Sequence, residues 1–470
     1  MSLLNIFDKY KENTAVITKS GQHVTYKELH LLCEEISAYI EKRKCLIFIL
    51  CKNTLQTVAA YLANIYSNSA ALLLDNNMEH SSLEELINIY KPDYLWLTNE
   101  YQHAAYHTIY TNSDCTLIKS NLPPQRAIHP ALTLMLTTSG STGSSKLVRL
   151  TLKNLNANAH AIATYLNLNE TERPVTTLPM HYSYGLSVIN SHLISGATIL
   201  MTDDSIVTRE FWNFVKTNSL TSLAGVPYTY EILKKLRFFT MKLPSLKYIT
   251  QAGGRLAPEL VLEFANQARQ RGIDFYVMYG QTEATARISY LPPKDNVRKH
   301  KSIGIPIPGG SLTLITENNE KITTPYTEGE LIYNGDNVMM GYATEAQDLS
   351  KGDELMGRLS TGDIGYFDKE GYFYITGRKK RFLKLFGNRV NLEDIEGFLN
   401  GLGFVCVCGG RDDMLLIANT KARDSQSIKK AVVAKYGFHH SVVEVFEIEV
   451  IPKSSAGKIL YANIFEGRNF

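Results

Sequence analysis

The sequence predicts an α/β protein: parallel sheets covered by helices, then antiparallel hairpins forming a small distorted β-barrel, then a separate small α+β unit. Three observations carry this. Short aliphatic or β-branched runs alternate with helix-length amphipathic segments through the first ~290 residues, the signature of strand–helix–strand units. From about Gly304 the texture changes to apolar–polar alternation between Gly, Asn and Asp turns, which suits antiparallel hairpins. Beyond Arg378, roughly ninety residues resume a mixed helix and strand pattern, and the basic stretch Arg378–Arg381 is a candidate hinge.

Taken in order, Cys45–Cys51 and Ala71–Asp75 read as strands followed by helices over Thr54–Tyr66 and Ser81–Tyr90. Ala197–Met201 precedes a helix at Thr208–Thr217, and Ser222–Gly225 precedes one at Pro227–Leu236. Tyr248–Ala252, a helix at Pro258–Gln270 and Phe275–Tyr279 complete the series. Most of these strands are nearly continuous apolar runs, as strands buried on both faces should be. Ser311–Thr316, Glu328–Tyr333 and Tyr366–Thr376 are the hairpin candidates. The last unit has helix candidates Leu392–Asn400 and Ser425–Tyr436 and strand candidates Phe404–Cys408, Met414–Ala418 and Val442–Val450.

The 470 residues suffice for two or three domains of roughly 100–200 residues. Apolar residues make up 44% and charged residues 20%, a composition that excludes disorder, collagen-like repeats and coiled coil. The formal charge of +3 is too balanced for a nucleic-acid groove or a polybasic membrane surface. The longest apolar run, Leu46–Cys51, is far below the ~20 residues of a membrane span, and the polar N-terminus lacks a signal-peptide core. Six scattered cysteines, without CxxC spacing, predict neither a zinc site nor a disulfide framework, and so a reducing, cytoplasmic compartment.

Four segments carry candidate chemistry. Thr138-Ser139-Gly140-Ser141-Thr142-Gly143-Ser144-Ser145-Lys146 sets hydroxyls and two glycines between apolar strands and ends on a lysine. Glycines admit an anion to backbone N–H groups, hydroxyls add donors, and the lysine supplies a point charge for phosphate. It is not a Walker A loop, and composition alone is equally compatible with a flexible Ser/Gly loop. Tyr279-Gly280-Gln281-Thr282-Glu283 follows a strand, where open parallel sheets bind ligands. A carboxylate there suits Mg2+, a threonine a phosphate, and a tyrosine ring a base. Upstream, Gly253 and Gly254 end another strand and permit a flat ring against the backbone, although a tight turn explains them as well. Asp363 and, after Ile375, Arg378 suit ribose hydroxyls and nearby charge; a turn aspartate and a surface arginine are the plain alternative. Lys458, in Pro452-Lys453-Ser454-Ser455-Ala456-Gly457-Lys458, would by itself be a solvated lysine.

Together and in this order the four segments resemble the adenylate-forming superfamily, the AMP-binding acyl-CoA synthetases, nonribosomal adenylation domains and luciferase-like enzymes. The resemblance runs from Val24-Thr25-Tyr26-Lys27-Glu28-Leu29 to Lys458, through Gly304–Gly309, Gly329-Glu330-Leu331 and Gly341-Tyr342. It implies a large N-terminal domain, 1–379, of two parallel-rich sheets with helices plus the barrel, and a mobile α+β lid, 380–470. It implies ATP and Mg2+ as cofactors: Thr138–Lys146 on the β- and γ-phosphates, Gly253, Gly254 and Tyr279 around adenine, with Gly280 beside them. Thr282 would meet the α-phosphate, Glu283 the magnesium, and Asp363 the ribose with Ile375 and Arg378 alongside. Lys380 falls at the hinge, Gly387 on the strand that admits a pantetheine arm, and Lys458 is the catalytic lid lysine. Two departures stand out: Ser145 and Leu147 replace the proline and second glycine usual around Lys146, and Tyr461 stands where an arginine is common.

Pro179–Leu186 resembles the acyl-pocket segment of acyl-CoA synthetases, with Tyr182 as aromatic gate and Ser183 and Tyr184 beside it. Gly225, Tyr228 and Met278 would line the same pocket. No aspartate stands there to bind an α-ammonium, which argues against an α-amino acid. The resemblance therefore implies an AMP-forming acid–thiol ligase acting on a carboxylic acid and on CoA or a phosphopantetheinyl carrier protein, as a monomer or homodimer. The alternative is a stand-alone adenylation enzyme loading an amino or imino acid onto a carrier protein. A silent nucleotide-binding protein and a light-emitting enzyme are more distant readings.

Overall fold

The computed structural model describes residues 2–97, 103, 105–112, 114–123, 127–138, 146–385, 388–453 and 459–465. They form two compact units. The first takes the described residues within 1–138, 145–312 and 333–359, the second those within 313–332 and 360–470.

The first unit is built on two large sheets. One has eight strands in the order Gly341–Ala343, Leu147–Thr151, Leu132–Thr137, Ala70–Asp75, Leu46–Cys51, Tyr94–Leu97, Thr116–Ser120, Tyr106–Thr111. Its four central strands are parallel, and antiparallel strands extend both edges. The continuous apolar runs are explained by burial on both faces. Ile47, Ile49, Ala71 and Leu73 pack into one core with the helices Tyr26–Ser37 and Leu55–Tyr66. Leu46, Phe48, Leu72 and Leu74 pack into another with the helix His80–Tyr90. The helix starts follow capping chemistry: the Thr25 hydroxyl accepts from the Glu28 N–H while the Glu28 carboxylate accepts from the Thr25 N–H at 2.7 Å. Part of the Val24–Leu29 motif is thereby a helix cap.

The second sheet runs Ser222–Gly225, Tyr248–Gln251, Asp274–Tyr279 in parallel, then Ser289–Leu291 and Ile305–Pro306 antiparallel. A three-stranded sheet of Ile199–Met201, Thr14–Thr18 and His23–Thr25 joins its edge through the bridges Val175–Leu200 and Pro174–Ser222. Here too the two faces separate. Leu223, Ile249 and Phe275 enter one core. Ala224, Tyr248, Tyr276 and Met278 enter a second with the buried Tyr184.

The second unit contains most of a five-stranded sheet ordered Lys321–Ile322, Ser311–Ile315, Gly329–Asn334, Arg358–Phe367, Phe373–Arg378. Its outer pairs are antiparallel, as the alternating sequence predicts. The hairpin Phe382–Leu385 with Asn388–Asn391 follows. Cys406–Arg411 then pairs antiparallel with Met414–Asn419, which pairs parallel with Val443–Glu447. The helix Ser425–Tyr436 makes the crossover and the helix Leu392–Gly401 packs on the same core. The strand expected from Phe404 begins at Cys406, because Gly403, at φ +88°, turns the chain after the helix. Among the described residues no helix is long and apolar enough to cross a membrane.

Candidate active site

In the second sheet the strand register aligns Gly225 with Gln251 and Gln251 with Val277. The segments that follow, Val226–Tyr228, Ala252–Gly254 and Gly280–Glu283, therefore leave one sheet edge, the carboxyl end of its parallel strands. Gly253 takes φ +83°, and a Cβ there would run into the Tyr182 hydroxyl. Gly280 is needed for closeness instead: a Cβ there would collide with the Ala286 carbonyl. Between them the chain forms the short turn Thr282–Ala284 and passes through Thr285 and Ala286, both at positive φ.

Buried polar side chains hold this turn. The Asn337 amide donates to the carbonyls of Ala284 at 2.7 Å and Arg287 at 2.8 Å, and its oxygen accepts from Tyr333 Oη at 2.8 Å. Thr285 Oγ1 donates to the Asn337 carbonyl at 2.6 Å. Thr282, buried, lies 3.3 Å from Ser183 Oγ, at the first turn of the helix Ser183–Leu193. Gln281 Nε2 donates to Tyr279 Oη at 3.2 Å.

The Glu283 carboxylate is half-buried, and Tyr342 Oη donates to its Oε1 at 2.8 Å. The Lys146 ammonium lies 5.6 Å from the centre of the Tyr342 ring. Tyr342 thereby links the end of the Ser/Gly-rich segment to the carboxylate of the turn. Thr138 and Lys146 are themselves joined, the Thr138 hydroxyl donating to the Lys146 carbonyl at 3.5 Å. The segment spans two antiparallel strands, Leu132–Thr137 and Leu147–Thr151; Ser139, Gly140, Ser141, Thr142 and Gly143 lie outside the described residues. As a magnesium ligand set, one hard carboxylate fits: Mg2+ takes one or two carboxylates and completes its shell with phosphates and water. Among the described residues no cluster of three or more metal-binding side chains exists.

A small cavity of about 10 Å³, room for about one water molecule, lies against the same sheet, lined by Tyr184, Met278, Thr250, Ser187, His192 and Arg287 among others. Of the predicted pocket residues, Tyr184 and Met278 line it. Tyr184 Oη lies 2.8 Å from Thr250 Oγ1, and Tyr165 Oη donates to Met278 Sδ at 2.9 Å. Gly225 packs on Thr229, and Tyr228 is exposed at the start of the helix Pro227–Lys235. Burial pushes the Tyr182 phenol up to about 12, with the Arg287 charge acting the other way. His181 Nε2 is 3.7 Å from Asp75 Oδ2; burial lowers the imidazole pKa, opposed by that carboxylate.

In the second unit Asp363 and Arg378 are register partners on adjacent strands. Arg378 Nε lies 3.0 Å from Asp363 Oδ1, with Asp363 buried and Arg378 exposed. Ile375 pairs with Gly365 beside a register shift that re-aims this pair of strands. Glu330, of the Gly329-Glu330-Leu331 mark, accepts from Lys379 Nζ at 2.8 Å and from the Ser360 hydroxyl. Burial raises its pKa, but these two donors outweigh it and hold it below the ordinary value. Tyr461, which replaces an arginine, lies under the Arg381 guanidinium at 3.9 Å, and Arg381 Nη2 pairs with Glu396 at 2.6 Å. Lys458 and Gly387 lie outside the described residues, as does the Lys380 side chain. The chain on either side of 454–458 is drawn together by the bridge Lys453–Ile459.

The chain as a whole resembles known proteins. The model of the AMP-binding enzyme family matches residues 5–343. The chain belongs to that family. AMP-binding relatives include the 2-succinylbenzoate–CoA ligase of Bacillus subtilis, 24% identical over 469 residues, 95% of this chain and 94% of that one. The oxalate–CoA ligase of Arabidopsis thaliana is 31% identical over 271 residues, 57% of this chain and 52% of that one. Among solved structures, the Bacillus subtilis o-succinylbenzoate CoA synthetase in complex with its acyl-adenylate intermediate has a TM-score of 0.79 at 20% identity, covering 99% of this chain and 98% of that one. ATP-bound MatB from Rhodopseudomonas palustris has 0.76 at 18%, covering 99% of each. The fold is thus that of the adenylate-forming enzymes.

Sequence reasoning did not find Tyr333, Asn337, Arg287, Ser187 or His192. Only Tyr342 carried a signal, as part of the Gly341-Tyr342 mark.

Proposed function

We propose that this AMP-binding enzyme activates a carboxylic acid with Mg·ATP and passes the acyl group to the thiol of CoA. A carboxylate oxygen attacks the α-phosphorus and the bond to pyrophosphate breaks. The thiolate sulfur then attacks the acyl carbon and AMP leaves. The observation that carries this reading is the turn at the strand end, where Thr282 meets Ser183 and Glu283 meets Tyr342 beside Lys146. Two anions must combine in the first step, so catalysis rests on compensating charge at the phosphates. Thr282 would hydrogen-bond the α-phosphate, Glu283 would hold a magnesium ion that supplies charge compensation for the phosphates, and Lys146 with the preceding hydroxyls would take the β- and γ-phosphates. Gly253 and Gly254 leave room for adenine against Tyr279, while Asp363, oriented by Arg378, accepts hydrogen bonds from the ribose hydroxyls. Residues 380–470 act as a lid hinged at Lys380, bringing Lys458 to the carboxylate and α-phosphate; Gly387 lies on the path of the pantetheine arm.

CoA is favoured over a carrier protein as acceptor because the relatives named above are CoA ligases. The six cysteines are free and buried, which supports a reducing, cytoplasmic setting. The test is pyrophosphate exchange into ATP across fatty, aryl, hydroxy, dicarboxylic and amino acids, followed by AMP release on adding CoA. Exchange that depends on an acid, with AMP and an acyl-CoA as products, supports the reading. ADP as product, or exchange indifferent to every acid, overturns it.

A further inference from the structure

Arg287 is a buried cation of unusual surroundings. It is 2% exposed, its Nε donates to Tyr165 Oη at 3.2 Å, and its Nη2 donates to Ser187 Oγ at 3.3 Å. Its guanidinium centre lies 4.7 Å from the centre of the Tyr184 ring. Among the described residues no Asp or Glu oxygen comes within 4 Å of it. The contrast is Arg149, also fully buried, which binds the Glu354 carboxylate and the carbonyls of Tyr342 and Lys351. Burying a charge without a counter-charge is costly, and neutral hydroxyls and a ring face only partly offset it.

A carboxylate would reach Arg287 through the small cavity it lines, which must widen to admit it. Arg287 lines the cavity described above, and the other lining groups are apolar or neutral. His192 is neutral there: burial lowers it to about 4, its Nδ1 donates to the Val188 carbonyl, and its Nε2 accepts from Tyr248. Hydroxyls of Ser187, Ser191, Ser222 and Thr250 share the lining. Ser183 and Ser187 also set a length. They stand four residues apart on one helix, hence one above the other at roughly 6 Å. Ser183 touches Thr282, and Ser187 touches Arg287.

Resting on the adenylation reading, we propose that the acid is a short dicarboxylic acid. One carboxylate reacts beside Thr282, and the other pairs with Arg287 about one helical turn away, with Ser187 alongside. A guanidinium offers a carboxylate parallel N–H donors, and a cavity built around it rejects an analogue that leaves it unpaired.

The experiment is acid-dependent pyrophosphate exchange with the full chain, using succinate, glutarate and adipate, their monomethyl esters, and straight-chain monocarboxylic acids of equal length. The wild type is expected to favour at least one diacid over its monoester by ~10²-fold or more in kcat/KM. R287Q should lower that ratio by about the same factor, mainly through KM for the diacid, while R287K restores part of it. S187A, with its melting temperature unchanged, should raise the diacid KM severalfold and leave the monoester KM alone, so the test survives if R287Q does not fold. Exchange with monocarboxylic acids but with no diacid overturns this inference and leaves adenylation standing. Exchange with no acid at all removes the adenylation reading and this inference with it.

Discussion

Tyr342 and Glu283 stand 59 residues apart in the chain and 2.8 Å apart in space. A donor fixed on one carboxylate oxygen orients the other toward a metal, and hydrogen bonds to a charged acceptor are worth ~1.5–3 kcal/mol where dry. Tyr342 is 37% exposed, so part of that is lost to water. Y342F should therefore raise the Mg2+ concentration for half-maximal exchange by about three- to tenfold, measured by magnesium titration at saturating ATP and acid. His192 makes a different prediction. Its folded pKa of about 4 lies below the ordinary 6.5, so its contribution is whole above 6.5 and lost as pH falls toward 4. Between pH 6.5 and 5 the loss is about 2 kcal/mol at ~1.36 per pH unit. Urea denaturation at these two pH values should show it, and H192Q, which cannot gain that proton, should flatten the dependence. The motif residues at this scale were legible because each belongs to an ordered series of segments. Arg287, Asn337 and His192 were not, since an isolated arginine, asparagine or histidine acquires meaning only from what folds around it.

The turn from Gly280 to Arg287 is the element on which the candidate chemistry rests. It passes through two positive-φ residues, Thr285 and Ala286, and Asn337 satisfies two of its carbonyls. N337A strips the donor from both, at ~1–3 kcal/mol for each buried polar group left unpaired. The expected loss is about 2–4 kcal/mol in urea denaturation, with slower exchange because Thr282 and Glu283 lose their support. G280A should be worse for exchange than for stability if the Ala286 carbonyl yields to the new methyl. The parallel strands and their helices were read from sequence to within one or two residues at most ends, because strands buried on both faces are unbroken apolar runs. The helix Ser183–Leu193 gave no such signal: Ser183, Ser187, Asn190, Ser191 and His192 are all buried in it. Its polar residues face hydrogen-bond partners and a cavity, so periodicity of apolar residues fails. Most antiparallel edge strands, Leu147–Thr151 excepted, were missed for a related reason, as short edge strands carry little pattern of their own.

At the scale of the whole molecule, the family match and the shared fold agree with the order of motifs along the chain. Among the described residues Glu283 lies beside Tyr342 and Asp363 beside Arg378, and the roles given to them are those of the proposal. In the proposed reaction a late lysine neutralises two anions so that they can react. Replacing Lys458 by alanine tests it most directly, in a pyrophosphate-exchange assay at saturating acid with the thermal transition recorded in parallel. K458A is expected to be a folded protein whose exchange falls by ~10²–10³-fold, as for other single transition-state donors. A folded K458A that exchanges pyrophosphate at the wild-type rate would contradict it.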